Sequence, residues 1–358
     1  MIVDTKRIEK IREHLGDAES ERVFSKRLAY TLVPSCENTR ELARFDNALI
    51  IDAVREFTDH GDKVCVYGIG RDYWHPGRVM CNLFRDHLAR VFDQNADQIG
   101  DFDFYGEKFS VQKSDKIREV ESDIVVIIAT QNPNFQNEIF TNLTAFGIPA
   151  HRIIFLPPLY AFGWGDYFNW SFFDYRENEI FVDCGCFDGE TAKLFIETIQ
   201  KRPRASVSKI FAYEPNEGQF AVCENNLADI PFVNVKKHAV WNKKETLRFC
   251  ANPRLAEGAR ISNAGDVTIN AVALDDDLAG ERVTFIKMDV EGAELNALKG
   301  AENLIRANKP KLAICVYHKP EDILEIPEFV INLNLGYRLY LRHQSLWDHD
   351  TILYAVPK

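Results

Sequence analysis

The first 61 residues carry apolar side chains at helical spacing, with charged residues between them. Ile8, Ile11 and Leu15 lie three and four positions apart, which is the spacing of one face of a helix. Apolar residues continue at similar intervals from Leu42 to Val54. The pattern therefore predicts a helical lead-in over residues 1–61.

A change of pattern follows, because short apolar runs now alternate with helical segments. The first run, KVCVYGIG, ends in two glycines, and a helical stretch through Met80 follows it. Alternating strands and helices build a parallel sheet that is covered on both faces. We predict a small Rossmann-like α/β domain over residues 62–157. Its strands are expected at residues 63–70, 89–92, 123–130 and 152–156.

Aromatic residues crowd residues 158–177 without the period of a strand or a helix. We interpret this stretch as a linker whose rings pack the flanking structure together. The alternative is that rings such as Trp164 and Tyr167 line the mouth of a substrate site.

The alternation restarts and continues through residues 178–358. Two β-rich segments interrupt it, and the final two apolar runs, 337–341 and 351–356, have no helix between them. This order is expected of a seven-stranded Rossmann-like sheet whose last strand inserts antiparallel. The earlier strands are predicted at 180–184, 210–213, 233–240, 283–288 and 312–317.

Composition narrows the class of protein. Hydrophobic residues make up 46% of the 358 residues and charged residues 27%, which is typical of a soluble globular chain. The formal charge of -11 argues against a nucleic-acid partner. The N-terminus lacks a signal peptide and the apolar runs are too short to span a membrane, so a cytoplasmic protein is expected. The eight scattered cysteines suggest no metal site, and a homo-oligomer stays open.

The segment FVDCGCFDGET, residues 181–191, carries the strongest chemical signal. A buried strand delivers Asp183, Gly185 permits a tight turn, and Gly189 with Thr191 begins a helix beside the predicted ligand. The spacing D-x-G-x-x-x-G differs from the G-x-G-x-x-G of a pyrophosphate site. It suits a shorter ligand whose cationic, sulfonium-bearing end meets a carboxylate. An ordinary strand-to-helix turn is the alternative.

A second acidic residue follows the next predicted strand. Glu214 lies twenty-five residues after Gly189, where a carboxylate can accept hydrogen bonds from both hydroxyls of a ribose. NAD sites share this spacing, so Glu214 indicates a nucleoside without distinguishing which one. Its alternative role is a cap on the following helix.

Further polar residues follow the later strands, where ligands gather in sheets of this kind. They are His238, Asp289 and His318. His318 could take a proton from a hydroxyl substrate, with Asp289 or Glu291 as second choices. Glu294 is interpreted as an acidic residue that suits a helix start. No metal ligand is assigned, although a cation between these carboxylates stays open.

These motifs, in the order VDCGCFDGET, YEPN, HAVWN, IKMDVEGAELNALKGAENLI and VYH, resemble the FkbM-type methyltransferase family over about half of the chain. The resemblance implies a class I methyltransferase fold with S-adenosylmethionine as methyl donor and O-methylation of a sugar, glycan or related small metabolite. It places the methionyl part beside Asp183, Gly185 and Gly189, with Asp289 also in the cofactor site. The ribose would lie on Glu214 and the adenine near Ala239 and Val240.

Two competing functions remain. The N-terminal Rossmann-like domain could serve an NAD-dependent sugar-nucleotide epimerase or dehydrogenase, but its Gly68-Ile69-Gly70 has Tyr73 in place of the third glycine. No Tyr-x-x-x-Lys pair supports hydride transfer. The chain could also be a non-catalytic nucleotide-binding scaffold, although Asp183, Gly189 and Glu214 are all intact.

Overall fold

The computed structural model describes residues 4–43, 48–71, 75–120, 123–157, 166–250, 260–261 and 264–358. The chain forms two compact units. The N-terminal unit contains Ser25–Trp164 and His343–Asp350, and the C-terminal unit contains Met1–Phe24, Gly165–Arg342 and Thr351–Lys358. Within the described residues, no helix has the length and apolar character needed to cross a membrane.

The elements follow the predicted alternation after a helical start. The helices are α1 (Thr5–His14), α2 (Ala18–Leu32), α3 (Cys36–Ala43), α4 (Ala48–Thr58), α5 (Pro76–Leu83), α6 (Ala96–Ile99), α7 (Pro133–Ala145), α8 (Glu190–Gln200), α9 (Glu217–Leu227), α10 (Leu274–Asp277), α11 (Glu294–Lys299), α12 (Glu302–Asn308) and α13 (Asp322–Asn332). The strands are β1 (Lys63–Tyr67), β2 (Leu88–Asp93), β3 (Phe102–Phe104), β4 (Glu107–Phe109), β5 (Val111–Lys113), β6 (Ile124–Ile128), β7 (Ile153–Phe155), β8 (Glu179–Cys184), β9 (Val207–Tyr213), β10 (Val233–Lys236), β11 (Ala239–Val240), β12 (Glu245–Cys250), β13 (Arg260–Ile261), β14 (Val267–Val272), β15 (Phe285–Met288), β16 (Lys311–Cys315), β17 (Arg338–His343) and β18 (Thr351–Val356).

The N-terminal unit is built on a five-stranded sheet in the order β5-β2-β1-β6-β7, whose paired strands run parallel. Alternate side chains of β1 enter different apolar clusters: Val64 and Val66 belong to one, and Cys65 and Tyr67 to the other. A parallel sheet covered on both faces needs such a continuous apolar strand. The predicted Rossmann-like α/β architecture is confirmed.

The C-terminal unit is built on a seven-stranded sheet in the order β10-β9-β8-β15-β16-β18-β17. The first five strands pair in parallel, and β18 lies antiparallel to β16. This is the strand order of the class I methyltransferase fold, including the inserted last strand that the closing apolar pair predicted. Because β8 and β15 are central neighbours, the segments that follow them meet at one edge of the sheet.

The described part of the aromatic stretch packs into the core of the C-terminal unit. Phe168 is fully buried, and its ring meets those of Phe181, Phe195 and Phe285 edge-on, with ring centroids 5.1–5.4 Å apart. Edge-to-face packing of this kind stabilises an aromatic core beyond the area that it buries. Phe168 therefore packs the core, as we interpreted the aromatic stretch. Trp164 lies outside the described residues.

The predicted strand over residues 233–240 is two strands. β10 ends at Lys236, and Ala239 pairs with Ala271 in a separate four-stranded sheet of order β11-β14-β12-β13. Lys237 and His238 lie between the two strands, where the chain leaves the main sheet. The β-rich insertion thus forms a second sheet of the C-terminal unit, and this sheet begins just after β10.

The boundaries of the two units differ from the predicted domain boundaries at both ends of the chain. Leu15 bridges to Leu339 of β17, and Arg342 forms an ion pair with Asp17 at 2.7 Å, so the first helix belongs to the C-terminal unit. Residues 343–350 connect β17 to β18 but belong to the N-terminal unit, where Trp347 lies in an apolar cluster. Contacts between residues so far apart along the chain produce no pattern in the local sequence, so the sequence could not predict these boundaries.

Candidate functional site

A glycine turn connects β8 to α8 and approaches the end of β15 closely. Gly185 has a φ of 76°, and a Cβ atom there would lie 1.9 Å from the carbonyl oxygen of Asp289. Gly189 is the N-cap residue of α8 and has a φ of 86°. A side chain at Gly185 would collide with backbone, so the turn requires glycine. Thr191 is half-buried in the first turn of α8.

Asp183 lies fully buried at the end of β8 and faces a buried lysine. The Nζ atom of Lys287 is 3.1 Å from Oδ1 of Asp183 and donates a hydrogen bond to the carbonyl of Gly185 at 2.7 Å. Burial alone would lower the pKa of Lys287, but the carboxylates of Asp183 and Asp289 raise it above its usual value. Lys287 therefore stays protonated and neutralises the acidic residue beneath the glycine turn.

Glu214 follows β9 and directs its carboxylate at the same turn. Oε2 accepts a hydrogen bond from the backbone N–H of Phe187 at 3.2 Å, and Oε1 accepts one from Asn216 at 2.8 Å. Burial raises the pKa of Glu214, and both backbone hydrogen bonds oppose that rise. Each carboxylate oxygen has a second lone pair, so the group can still accept hydrogen bonds from a diol.

A cleft of about 370 Å³ opens beside Glu214. It lies between the start of α9 and the four-stranded sheet, and Lys237 forms part of its wall. Ala239 and Val240 are buried in β11, two and three residues after this lysine. The remaining lining residues are Pro215, Asn216, Glu217, Phe249, Val267, Thr268, Ile269 and Asn270.

Three carboxylates surround His318, which follows β16. Its Nε2 atom is 3.5 Å from Oδ1 of Asp289 and 3.5 Å from Oε2 of Glu291, and its Nδ1 atom is 2.9 Å from Oε1 of Glu294. Glu294 is fully buried, whereas the Glu291 side chain is 48% exposed. The predicted catalytic residues His318, Asp289 and Glu291 therefore come together, and Glu291 is the most exposed of the three carboxylates.

The carboxylates set the charge of the imidazole. Burial alone would lower the pKa of His318, but Glu294, Asp289 and Glu291 raise it to about 9. Burial opposes ionisation of Asp289 as well, but Lys287 and His318 hold the pKa of that carboxyl below its ordinary value. His318 is thus an imidazolium at neutral pH and Asp289 a carboxylate.

Aromatic hydroxyls complete the surroundings of Asp289. Tyr167 donates a hydrogen bond to Oδ2 at 3.1 Å, and Tyr317 donates one to Oδ1 at 3.3 Å. The ring of Tyr167 also lies 5.5 Å from Nζ of Lys287. One ring of the aromatic stretch therefore forms part of the site as well as of the core.

The same cluster contains a possible set of metal ligands. Asp289, Glu294 and His318 each offer one ligand atom, and these atoms lie within 4.8 Å of one another. Carboxylate oxygen and imidazole nitrogen together suit a divalent transition metal. The sequence analysis assigned no metal ligand to these residues.

The glycine loop of the N-terminal unit is arranged differently. Oδ2 of Asp93 accepts hydrogen bonds from the backbone N–H groups of Ile69 at 3.0 Å and Gly70 at 3.3 Å. In a dinucleotide site such N–H groups face the pyrophosphate, and the acidic residue after the second strand binds ribose. Here the carboxylate of Asp93 accepts hydrogen bonds from those N–H groups instead. Tyr73 lies outside the described residues.

Residues 183–339 match the family described as the methyltransferase FkbM domain. The match begins at Asp183 and includes Glu214, Asp289 and His318. The chain carries an FkbM methyltransferase domain. Its glycine turn, second-strand acid and His318 cluster all lie within the matched range, so the resemblance drawn from the sequence motifs is confirmed.

Solved structures with related folds include other methyltransferases. An FkbM methyltransferase from Methylobacillus flagellatus is 19% identical, with a TM-score of 0.48 over 91% of this chain and 100% of that chain. An rRNA methylase from Streptococcus thermophilus is 15% identical, with a TM-score of 0.33 over 51% and 89%. An S-adenosylmethionine-dependent O-methyltransferase from Thermotoga maritima is 13% identical, with a TM-score of 0.32 over 52% and 62%. A comparison with curated proteins finds no match.

Sequence reasoning missed three residues that the structure places at the site, of which Lys287 and Glu294 lie within residues 183–339 and Tyr167 precedes them. Lys287 lies within the apolar strand β15. A single lysine in such a strand is the sequence signal that could have identified it as a site residue. Tyr167 was considered only with its aromatic neighbours. Glu294 was interpreted as a helix-start residue, yet its carboxylate is buried against His318.

Proposed function

We propose that the FkbM domain transfers the methyl group of S-adenosylmethionine to a hydroxyl of a sugar, glycan or related small metabolite. The proposal rests on the position of Asp289 between the glycine turn and His318. Its backbone carbonyl packs on Gly185 in the glycine turn, and its carboxylate faces His318. A ligand in the turn would therefore lie beside a group that can take up a proton.

The cofactor contacts follow from the turn and its neighbours. Asp183, Gly185, Gly189 and Thr191 would surround the methionyl part, with Lys287 balancing the charge of Asp183. Gly185 contributes space, since only its missing Cβ lets the backbone of the turn approach Asp289 so closely.

The nucleoside would contact residues that follow β9 and β10. Glu214 would accept the ribose hydroxyls, because its oxygens retain lone pairs. Ala239, Val240 and the cleft beside Lys237 would receive the adenine. Apolar side chains such as Phe249 and Ile269 could contact the faces of a purine, and polar ones such as Asn270 could hydrogen-bond to its edge.

S-adenosylmethionine bound there would supply a methyl group on a sulfonium: the hydroxyl oxygen would bond to the methyl carbon while the C–S bond breaks, leaving S-adenosylhomocysteine as a neutral thioether. His318 takes the hydroxyl proton on Nε2. Asp289 and Glu291 then stabilise the imidazolium that results. The buried surroundings hold the hydroxyl and the base in place, which lowers the entropic cost of the reaction.

The pH dependence follows from the carboxylates around His318. A base must be deprotonated to act, and His318 carries its proton below a pKa of about 9. We expect kcat/KM for S-adenosylmethionine to rise about tenfold per pH unit below that value and to level off above it. An activity that is flat from about pH 6 to pH 10 would show that His318 is not the base.

The acceptor is tested with a panel of nucleotide sugars, free sugars and glycans and with radiolabelled methyl donor. We expect label on a hydroxyl of at least one sugar-containing acceptor. Label that appears only on nitrogen or sulfur acceptors would contradict O-methylation. Each assay is run with and without EDTA, because activity lost in EDTA and restored by Mn²⁺ would make His318 a metal ligand instead of a base.

Replacing Glu214 with glutamine tests the ribose contact. The amide keeps the size of the side chain but loses the charge, so we expect about 10- to 100-fold weaker binding of S-adenosylhomocysteine. Turnover at saturating cofactor should change little. Isothermal titration calorimetry measures the affinity, and Glu224→Gln on the exposed face of α9 is the control. Equal affinities for Glu214→Gln and the control would remove Glu214 from the cofactor site.

The NAD-dependent alternative receives no support from the N-terminal unit. Asp93 occupies the two N–H donors of the glycine loop and would have to leave them before a pyrophosphate could bind. A non-catalytic scaffold would not need a buried histidine ringed by carboxylates. Titration of the chain with NAD separates the first alternative from the proposed function.

A further inference from the structure

Phe187 is an aromatic residue of the glycine turn that the folded chain leaves exposed. The residue is 58% exposed, more than any other large apolar residue in the described part of the C-terminal unit. An exposed phenylalanine gives up the free energy that burial of its ring would contribute. The mechanism above assigns no role to this ring.

The backbone of Phe187 adopts an unfavourable conformation. Its φ of 49° lies in the left-handed region, where a Cβ atom crowds the following carbonyl. Glycine adopts this region freely and asparagine at a lower cost than a bulky residue. Residues held in this way persist where the surrounding structure enforces the conformation, and they are common at ligand sites.

Hydrogen bonds on both sides of Phe187 enforce the conformation here. The backbone N–H of Cys186 donates to the carbonyl of Tyr213 at 3.1 Å. The side-chain amide of Asn226 on α9 donates to the carbonyl of Asp188 at 2.9 Å. The turn would have to break these bonds before it could rearrange and bury the ring.

The ring begins beside the carboxylate that is proposed to bind the ribose. The backbone N–H of Phe187 donates a hydrogen bond to Oε2 of Glu214 at 3.2 Å. Because the side chain branches from the atom next to this nitrogen, the ring can reach a sugar that Glu214 holds. The hydrogen bond itself comes from the backbone, so any residue except proline could make it. The turn therefore does not need a phenylalanine for its own stability.

We propose that the ring of Phe187 lies over the ribose of the bound cofactor and shields it from water. The inference rests on the proposed S-adenosylmethionine site. A ribose has hydroxyls that suit Glu214 and C–H groups that suit an apolar ring. Binding would then bury the surface that folding leaves exposed. The unfavourable backbone at Phe187 thus serves binding at the expense of stability.

Replacing Phe187 with glycine removes the ring and the unfavourable backbone together. We expect the affinity for S-adenosylhomocysteine, measured by isothermal titration calorimetry, to fall roughly 10-fold. The denaturation midpoint of the ligand-free variant should equal or exceed that of the wild type, because glycine adopts the left-handed region freely. Wild-type affinity in Phe187→Gly would overturn the proposal.

Two further variants separate the ring from the flexibility of glycine. Phe187→Asn tolerates the left-handed backbone but lacks the ring, and it should lose as much affinity as Phe187→Gly. Phe187→Tyr keeps the ring and should retain the wild-type affinity. Wild-type affinity in Phe187→Asn would show that the ring makes no contact with the cofactor.

Arg204→Gly is the matched control. Arg204 is exposed, has a φ of 70° and precedes β9, at the opposite end of that strand from Glu214. Its replacement should leave the affinity for S-adenosylhomocysteine unchanged and the midpoint no lower than that of the wild type. A loss of affinity equal to that of Phe187→Gly would contradict a specific contact by the ring.

The part of the cofactor that the ring contacts is tested with 5′-methylthioadenosine, which contains the nucleoside and lacks the amino acid. We expect Phe187→Gly to weaken its binding by the same factor. NMR of the complex should show nuclear Overhauser effects between ribose protons and a phenylalanine ring, absent in Phe187→Gly. A loss confined to S-adenosylhomocysteine would place the ring on the amino-acid end and overturn the ribose contact.

The wild-type titration separates this inference from the proposed function. A wild-type chain that binds S-adenosylhomocysteine no more tightly than Phe187→Gly keeps the cofactor site and loses the role of Phe187. A folded wild-type chain that does not bind S-adenosylhomocysteine loses the cofactor site, and the contact with it.

Discussion

Replacing Lys287 with methionine is expected to lower the free energy of unfolding by about 3–5 kcal/mol. Lys287 and Asp183 form a buried ion pair, and the substitution leaves the fully buried carboxylate of Asp183 without its cation. Methionine matches the length of the lysine stem, so packing changes little. The loss comes from the unpaired charge and from the missing hydrogen bond to the carbonyl of Gly185.

Chemical denaturation monitored by tryptophan fluorescence measures this loss. Lys299→Met on the exposed face of α11 is the control and should change stability by less than about 0.5 kcal/mol. Adding Asp183→Asn to Lys287→Met should recover part of the loss, because the orphaned charge is removed. If Lys287→Met is as stable as the wild type, the two side chains do not form a buried pair.

Replacing His318 with glutamine is expected to lower kcat by roughly 10²- to 10⁴-fold. Glutamine keeps hydrogen-bonding capacity but cannot take up the hydroxyl proton. Binding of S-adenosylhomocysteine should change little, since the proposed cofactor contacts lie on the glycine turn and Glu214. Turnover and calorimetric affinity measured on the same sample separate catalysis from binding.

The matched control for this prediction is His60→Gln, a histidine exposed after α4. It should retain full turnover. His318→Gln that turns over at the wild-type rate would remove His318 from the mechanism. A loss of cofactor affinity as large as the loss of turnover would instead place His318 in the binding site.

The sheet order could be predicted because parallel strands leave a continuous local pattern. The apolar runs around Asp183, Tyr213 and Met288 mark buried strands, and the closing pair without a helix marks the antiparallel insertion. The division of residues 233–240 into two strands could not be predicted. Apolar character continues through Ala239 and Val240, and only pairing with β14 shows that they leave the main sheet.

The candidate site could be predicted in part for the same reason. Asp289 and His318 follow adjacent strands, so strand order alone brings them together. The positions of Glu294 and Lys287 depend on the direction of their side chains, which the pattern does not reveal. Glu294 is buried beside His318, and Lys287 lies opposite Asp183 on the neighbouring strand β8. The membership of residues 343–350 in the N-terminal unit depends on still longer-range contacts.

Titration of the chain with S-adenosylhomocysteine and, separately, with NAD tests the central claim most directly. We expect heat of binding with one equivalent of S-adenosylhomocysteine, loss of that heat in Gly185→Ala, and no heat of binding with NAD. Binding of NAD alone, or binding of neither nucleotide to a folded chain, would contradict a sulfonium-nucleoside site at the end of β8.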